Sequence, residues 1–405
     1  MSCLLITSIF APINGGSAVV YENLCQNLEK GSIIILTATC NYSTGKTIDG
    51  WEEHDNSVDY PIYRLKLLRS KIIKSSSIFH SLFLLLFVDI PLRIKVFTKA
   101  LQLVKKHKVT TLCVGDLNSL SWLGKWLKIF TNIKVINYIH GEEVTTEANY
   151  KSFQRARSNY LKDADAIIAV SYFTKDYLIN RFRLSPQKIT VITNGVNTTN
   201  FTDVDKLNAR LTLRDRYNLK DKKIFITVGR LVPRKGIDTV IKSLPHVLES
   251  HPDAHYLIVG TGPIKDQLEN IVTNLNLSSS VTFAGNIDHS ELVAHYNMAD
   301  VFIMPNRTMP DGDTEGFGLV FLEANACGIP VIAGRAGGAS DAVINDLNGI
   351  SVDGLNENEV SMAMLKLLDD PGLAEKLAAQ GKVYVQEKSF AACAIQFNSL
   401  CETLK

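Results

Sequence analysis

Two rhythms alternate along the chain. Short apolar runs at Cys3 to Thr7, 32–38, 110–115, 133–139, 165–171 and 188–192 show little polar alternation, which predicts strands buried on both faces. Between several of them apolar residues recur at helical spacing, most clearly from about Ala18 to Leu28. Strand and helix in alternation predict a parallel sheet with helices on both faces. After 188–192 the chain passes the turn residues Thr193-Asn194-Gly195-Val196-Asn197 and becomes polar and charged over 200–220, which marks a crossing between domains. The rhythm then restarts with strand Ile224 to Val228, helix Ile237 to Leu248, and strands Tyr256 to Val259, Val281 to Ala284, Val301 to Met304 and Pro330 to Ala333. One α/β plan is used twice. The expected fold is α/β, with two Rossmann-like, doubly wound parallel-sheet domains, at 1–202 and 203–385, facing across a cleft.

Composition agrees with that size. With 405 residues and 46% hydrophobic content, the chain has material for two cores. Its 43 Lys and Arg nearly balance 41 Asp and Glu, so no global charge points to a nucleic-acid partner. The seven cysteines, at 3, 25, 40, 113, 327, 393 and 401, are scattered and lack zinc-ligand spacing, as expected of buried thiols at a cytosolic face. The apolar N-terminus has no basic leader and reads as a first strand rather than a signal peptide. The longest apolar run, from Ile78 to Val88, contains His80 and is closed by Asp89 and Pro91, too short a run to span a bilayer. It lies inside a basic stretch, 64–108, where eleven Lys or Arg face one acidic residue, Asp89. Such a stretch suits peripheral contact with an anionic membrane; helices packed on a sheet with solvated lysines are the other reading.

The chemistry-bearing residues sit on loops that leave strands. Arg230 and Lys235 follow strand Ile224 to Val228 and form a candidate cationic clamp for phosphate oxygens. In Thr314-Glu315-Gly316-Phe317-Gly318-Leu319-Val320, glycines open the backbone. A helix from about Leu319 to Ala326, ended by Gly328, aims the free N–H groups of Phe317 to Val320 at an anion. Glu315 precedes that helix and Glu323 lies just over one turn inside it. A carboxylate repels phosphate, so the pair is expected to accept hydrogen bonds from sugar or ribose hydroxyls. Gly15 and Gly16 on the first loop are placed to close on the same phosphates from across the cleft, and His140, at the end of strand Lys134 to Ile139, sits where a cleft ligand would lie. Asp-x-Asp spacings at Asp311/Asp313, Asp163/Asp165 and Asp203/Asp205 read as turn or surface acids, and no metal is expected.

Together these stretches carry a resemblance. "GRLVPRKGIDTVIKSL", "LIVGTGP" and "EGFGLVFLEANACGIPVIAGRAGGASDAV" are similar to retaining glycosyltransferases of the GT-B fold, family four, with a Glu-x7-Glu motif at Glu315 and Glu323. "FAPINGGSA", "HGEE", "VSYFTKDYL" and "VITNGVNTTNF" fit the same family in order, and the second half resembles bacterial phosphatidylinositol mannosyltransferases, with Asn14 departing from that subgroup in the first loop. The resemblance implies roles. Arg230 and Lys235 neutralise a leaving diphosphate, which Gly15, Gly16, Phe317, Gly318, Leu319 and Val320 help to bind. Glu323 holds the ribose, Glu315 the transferred sugar, and His140 contacts that sugar near its reacting face, while Gly262, Asn286 and Ile287 frame the base. It also implies a final segment, 386–405, that returns to complete the first domain, with Phe390, Ile395, Phe397 and Leu400 as anchors. The activity implied is transfer of a hexose, mannose favoured, from a nucleotide-diphosphate sugar to a lipid-linked or saccharide acceptor, without a cofactor. A UDP-sugar-dependent hexosyl- or N-acetylhexosaminyltransferase and a non-catalytic nucleotide-sugar-binding protein are the alternatives.

Overall fold

A computed structural model describes residues 2–13, 15–70, 78–146, 151–152, 155–202 and 206–404. Asn14, the Asp203/Asp205 spacing, and Lys71 and Lys74 of the basic stretch lie outside the described residues. The chain forms two compact units. The first contains Met1–Val170, Thr174–Ile192 and Phe390–Lys405, and the second contains Ser171–Phe173 and Thr193–Ser389.

The first unit is built on β1 (Cys3–Ile6), β2 (Ile33–Ala38), β3 (Ile62–Leu65), β4 (Thr111–Val114) and β5 (Lys134–Ile139). After the short antiparallel pair β6 (Lys151–Ser152) and β7 (Arg155–Ala156) come β8 (Ala166–Ala169) and β9 (Ile189–Val191). Seven of these strands pair in parallel in the order β3-β2-β1-β4-β5-β8-β9. The chain winds outward from β1 to β3, then crosses back to β4, so the order reverses between β1 and β4. Every residue of β1, β2, β4 and β8 is buried, which explains their unbroken apolar sequence. Strand β3 was not foreseen: its Ile-Tyr-Arg-Leu is half-buried throughout at the sheet edge, so it carries no apolar run to read.

Helix Phe390–Thr403 packs on helix Gly16–Gln26 within this unit. It buries Phe390, Cys393, Ala394, Phe397 and Cys401, a stripe at helical spacing. Ile395, expected as an anchor, falls off that stripe and is 70% exposed. The 78–88 run forms helix Ile78–Leu84 and a π-helical turn, Leu85–Asp89, that leads into helix Ile90–Lys106. The last of these buries Val96, Ala100, Leu103 and Val104, whereas Phe79, Phe83, Leu86, Phe87 and Ile94 are exposed. Among the described residues no helix is long and apolar enough to cross a membrane.

The second unit holds β10 (Lys223–Val228), β11 (Ala254–Val259), β12 (Val281–Gly285), β13 (Val301–Met304), β14 (Val331–Gly334) and β15 (Ile350–Val352). All pair in parallel, in the order β12-β11-β10-β13-β14-β15. Strand β15, three residues with a central serine, escaped the sequence pattern. Order reverses here between β10 and β13, so the loops that follow those strands border the switch point where doubly wound sheets bind ligands. Two doubly wound parallel sheets match the α/β class the sequence predicts.

Candidate active site

In the second unit the loops at the carboxyl ends of the strands are held together by their backbones. Gly262, after β11, is one example: a Cβ there would run into the Leu231 backbone of the loop after β10. Any larger residue would separate the two loops. After β13 the chain reaches Gly318, which caps helix Leu319–Cys327 in the left-handed conformation at φ 92°. A side chain at Gly318 would also strike the Phe321 ring. Phe317 is buried and so anchors the turn, while Leu319 and Val320, half-buried, open the helix with its unbonded N–H end. Asn286, exposed, and Ile287, half-buried, follow β12.

Around this frame the charges pair. The Lys235 Nζ lies 2.7 Å from Glu315 Oε2, with both side chains about nine-tenths buried. Arg234 donates through one terminal nitrogen to both Asp313 oxygens at 3.1 Å, and its Nε stands 3.9 Å from the same Glu315 oxygen. Burial alone would raise the Glu315 pKa. The two cations outweigh it and hold the carboxyl below its ordinary value. A buried carboxylate kept ionised by a lysine is a strong acceptor for hydroxyls. Glu323 accepts from the Tyr296 hydroxyl at 2.7 Å, and Tyr296 is fully buried, so the carboxylate is fixed on its helix. The expected partner of Lys235 behaves differently: Arg230 is exposed and makes no hydrogen bond or ion pair with the described residues.

The Asp-x-Asp acids are engaged by protein groups. Asp311 accepts the Asp313 N–H at 3.1 Å in its own turn, Asp313 holds Arg234, and Asp165 accepts the Val135 N–H and pairs with Lys128. Among the described residues no three His, Cys, Asp or Glu side chains converge on a point that could hold a metal ion.

In the first unit Gly15 (φ 105°) and Gly16 (φ 55°) are exposed at the start of helix Gly16–Gln26. His140 follows β5. Its ring stacks on Tyr138 at 5.1 Å, meets Tyr21 edge-on, and places Nε2 2.8 Å from the Tyr21 hydroxyl. Burial pushes the His140 pKa down to about 3, which leaves the ring neutral. The His140 main-chain N–H donates to Glu143 at 2.6 Å, and burial pushes that carboxyl up to about 7. Ser8 donates to Asp116, which follows β4.

Both sets of loops fall inside stretches that match known families. A description of group 1 glycosyl transferases matches residues 210–384, and one of glycosyltransferase family 4 matches residues 14–200. A GDP-mannose-dependent alpha-(1-6)-phosphatidylinositol monomannoside mannosyltransferase of Mycolicibacterium smegmatis is 36% identical over 286 residues, 69% of this chain and 73% of that protein. The chain belongs to the group 1, family 4 glycosyltransferases. This glycosyltransferase is also 27% identical over 387 residues to a GDP-mannose-dependent monoacylated alpha-(1-6)-phosphatidylinositol monomannoside mannosyltransferase of Corynebacterium glutamicum, covering 95% of this chain and 93% of that one. The sucrose-phosphate synthase of Thermosynechococcus elongatus superposes with a TM-score of 0.76 at 26% identity, over 100% of this chain and 98% of that one. HepE of Anabaena in complex with UDP matches with a TM-score of 0.75 at 17% identity over the full length of both, a likeness of fold.

For the glycosyltransferase, sequence reasoning left out three residues that the geometry brings in: Arg234, Tyr296 and Tyr21. Arg234 adjoins Lys235 and could have been read from that adjacency. Tyr296 and Tyr21 lie 27 and 119 residues from the groups they hold, so only the fold joins them.

Proposed function

We propose that the protein is a retaining, metal-independent hexosyltransferase that moves mannose from GDP-mannose to a lipid-linked acceptor at a cytoplasmic membrane face. The observation that carries the reading is the Lys235–Glu315 contact at the switch-point loops, a buried cation and a carboxylate that bonds it. Lys235, with Arg230 free to swing onto the ligand, neutralises the leaving diphosphate, and the N-terminal amides of helix Leu319–Cys327 add partial positive charge. Glu315 holds hydroxyls of the transferred sugar and Glu323 the ribose. Gly262, Asn286 and Ile287 frame the base, Gly15 and Gly16 approach the phosphates, and His140 contacts the sugar.

With no carboxylate assigned as nucleophile, transfer proceeds on one face of the sugar through an oxocarbenium-like state. The departing phosphate takes the acceptor proton while Lys235 stabilises the charge developing on it. Fixed cations supply the charge neutralisation, and the Asp311 and Asp313 oxygens already bond protein groups, which favours the metal-independent reading. GDP-mannose is favoured because the Mycolicibacterium smegmatis and Corynebacterium glutamicum relatives are named as dependent on it. Membrane contact is supported by the exposed Phe79, Phe83, Leu86, Phe87 and Ile94, which lie within the basic stretch 64–108.

The test is turnover of GDP-mannose with phosphatidylinositol vesicles, with the lipid product weighed by mass spectrometry and its anomeric carbon read by NMR. An α-mannosyl lipid is expected. A β-linked product contradicts retention, and turnover with UDP-sugars alone moves the donor to the UDP class.

A further inference from the structure

The Tyr21 hydroxyl stands between two partners. It lies 2.9 Å from the Gly115 carbonyl oxygen, which can only accept, and 2.8 Å from His140 Nε2. A phenol carries one proton. If Tyr21 gave it to His140, the Gly115 carbonyl would lose its one side-chain donor beside a fully buried ring. Donation to Gly115 instead satisfies both contacts, and then Nε2 must carry the imidazole proton and donate it to the Tyr21 oxygen. The arrangement is rigid: Tyr21 is fully buried, a Cβ at Gly115 would collide with its ring, and Tyr138 lies flat against the imidazole, 17° from parallel. With Nε2 protonated, Nδ1 keeps its lone pair, and it makes no hydrogen bond with the described residues.

We propose that Tyr21 is a positioning residue that locks His140 as the Nε2–H tautomer, so that Nδ1 is presented as a hydrogen-bond acceptor for a hydroxyl of the bound sugar. The proposal rests on the reading above that His140 contacts the sugar. It deepens that reading by fixing the chemistry: the histidine accepts and does not donate, so the group it selects is an O–H. The surroundings keep the ring neutral. Tyr21 from helix Gly16–Gln26 and Tyr138 from β5 are themselves held protonated by burial, and the acids of this neighbourhood are Glu143 and Asp116, which act on Tyr21, and Glu142, which acts on Glu143. Of these, Glu143 bonds the main-chain N–H of His140 and not its ring.

Long-range nitrogen–proton NMR of histidine-labelled full-length protein tests the lock without any activity, with His140 assigned from the H140A spectrum. The expected result is a neutral Nε2–H ring from pH 5.5 to 8.5 in the wild type, and loss of that single tautomer in Y21F. A wild-type ring protonated at Nδ1, or an unchanged tautomer in Y21F, overturns the proposal. Y21F, shown folded by its melting curve, is expected to lose about tenfold in kcat with little change in KM for the donor, the size of one misaligned hydrogen bond. Full Y21F activity beside an inactive H140A overturns the positioning role alone. Full activity in both variants, with the lock observed, overturns the assignment of His140 to the sugar.

Discussion

The two units hold their chemistry by opposite means. In the second, the site is made of buried charges that compensate one another: Lys235 with Glu315, and Arg234 with Asp313. In the first, the groups around the end of β5 carry little charge: His140 is uncharged, Tyr21 and Tyr138 stay protonated, and Glu143 titrates near neutrality. The difference fits the proposed function: paired, ionised groups suit a charged diphosphate and its sugar hydroxyls, whereas neutral aromatic groups suit an uncharged ring. A site built from ion pairs resists titration over the working pH range; one built by burial does so only where no carboxylate sits close to its own pKa.

The largest effect should come from cutting the second unit's pair. K235A is expected to lower kcat by a factor of 10² or more, as removal of a transition-state donor does, measured as initial rate at saturating donor. R234A keeps Lys235 and should lose about tenfold.

Stability should then separate the two units by the sign of its pH dependence. In the wild type, the Glu315 pKa lies below its unfolded value, so its pairing stabilises fully above about pH 4.3 and is lost as pH falls through the folded value. In K235A burial becomes the larger influence and raises the Glu315 pKa, so the sign reverses and the variant gains melting temperature on acidification from pH 7 to 5. K235A/E315Q, with no buried carboxylate left uncompensated, should recover most of the roughly 3 kcal/mol lost by K235A. Equal melting temperatures for the single and double variants would contradict the coupling. Glu143 behaves in the opposite sense to wild-type Glu315. Its folded pKa, about 7, is raised, so its contribution is fully present below about pH 4.3 and fades as pH rises toward 7. E143Q should remove that slope, a change of about 3 kcal/mol at most, seen as a flatter calorimetric profile between pH 4.5 and 7.

The smallest effect on folding should come from the exposed ridge of the first unit. F83S/F87S removes side chains that are 57% and 67% exposed, so stability should shift by no more than about 0.5 kcal/mol. Flotation with anionic vesicles should fall several-fold all the same. Unchanged flotation would remove the membrane from the account.

The same contrast decides what could be read from the sequence. The buried parallel strands announce themselves because both faces are covered, and helix Leu319–Cys327 because Gly318 and Gly328 punctuate it. The half-buried edge strand β3 and the three-residue β15 carry too little apolar signal. Glu315 and Lys235 were legible as charges on loops that leave strands, and Glu323 as a charge inside the apolar helix Leu319–Cys327, places where a buried charge has few other uses. Their partners were legible only where adjacent, as Arg234 is to Lys235. Tyr296 under Glu323 and Tyr21 beside His140 are ordinary core aromatics until the fold joins them. Arg230 shows the converse: its position was legible, but its side chain is exposed and makes no hydrogen bond or ion pair with the described residues.

Titration calorimetry of GDP and GDP-mannose into the wild type, K235A and E323Q tests the central claim most directly, since binding needs no acceptor and no membrane. Saturable binding of both by the wild type is expected, with at least tenfold weaker binding of GDP-mannose by K235A, through the diphosphate, and by E323Q, through the ribose. Binding of equal strength in all three proteins would contradict the site.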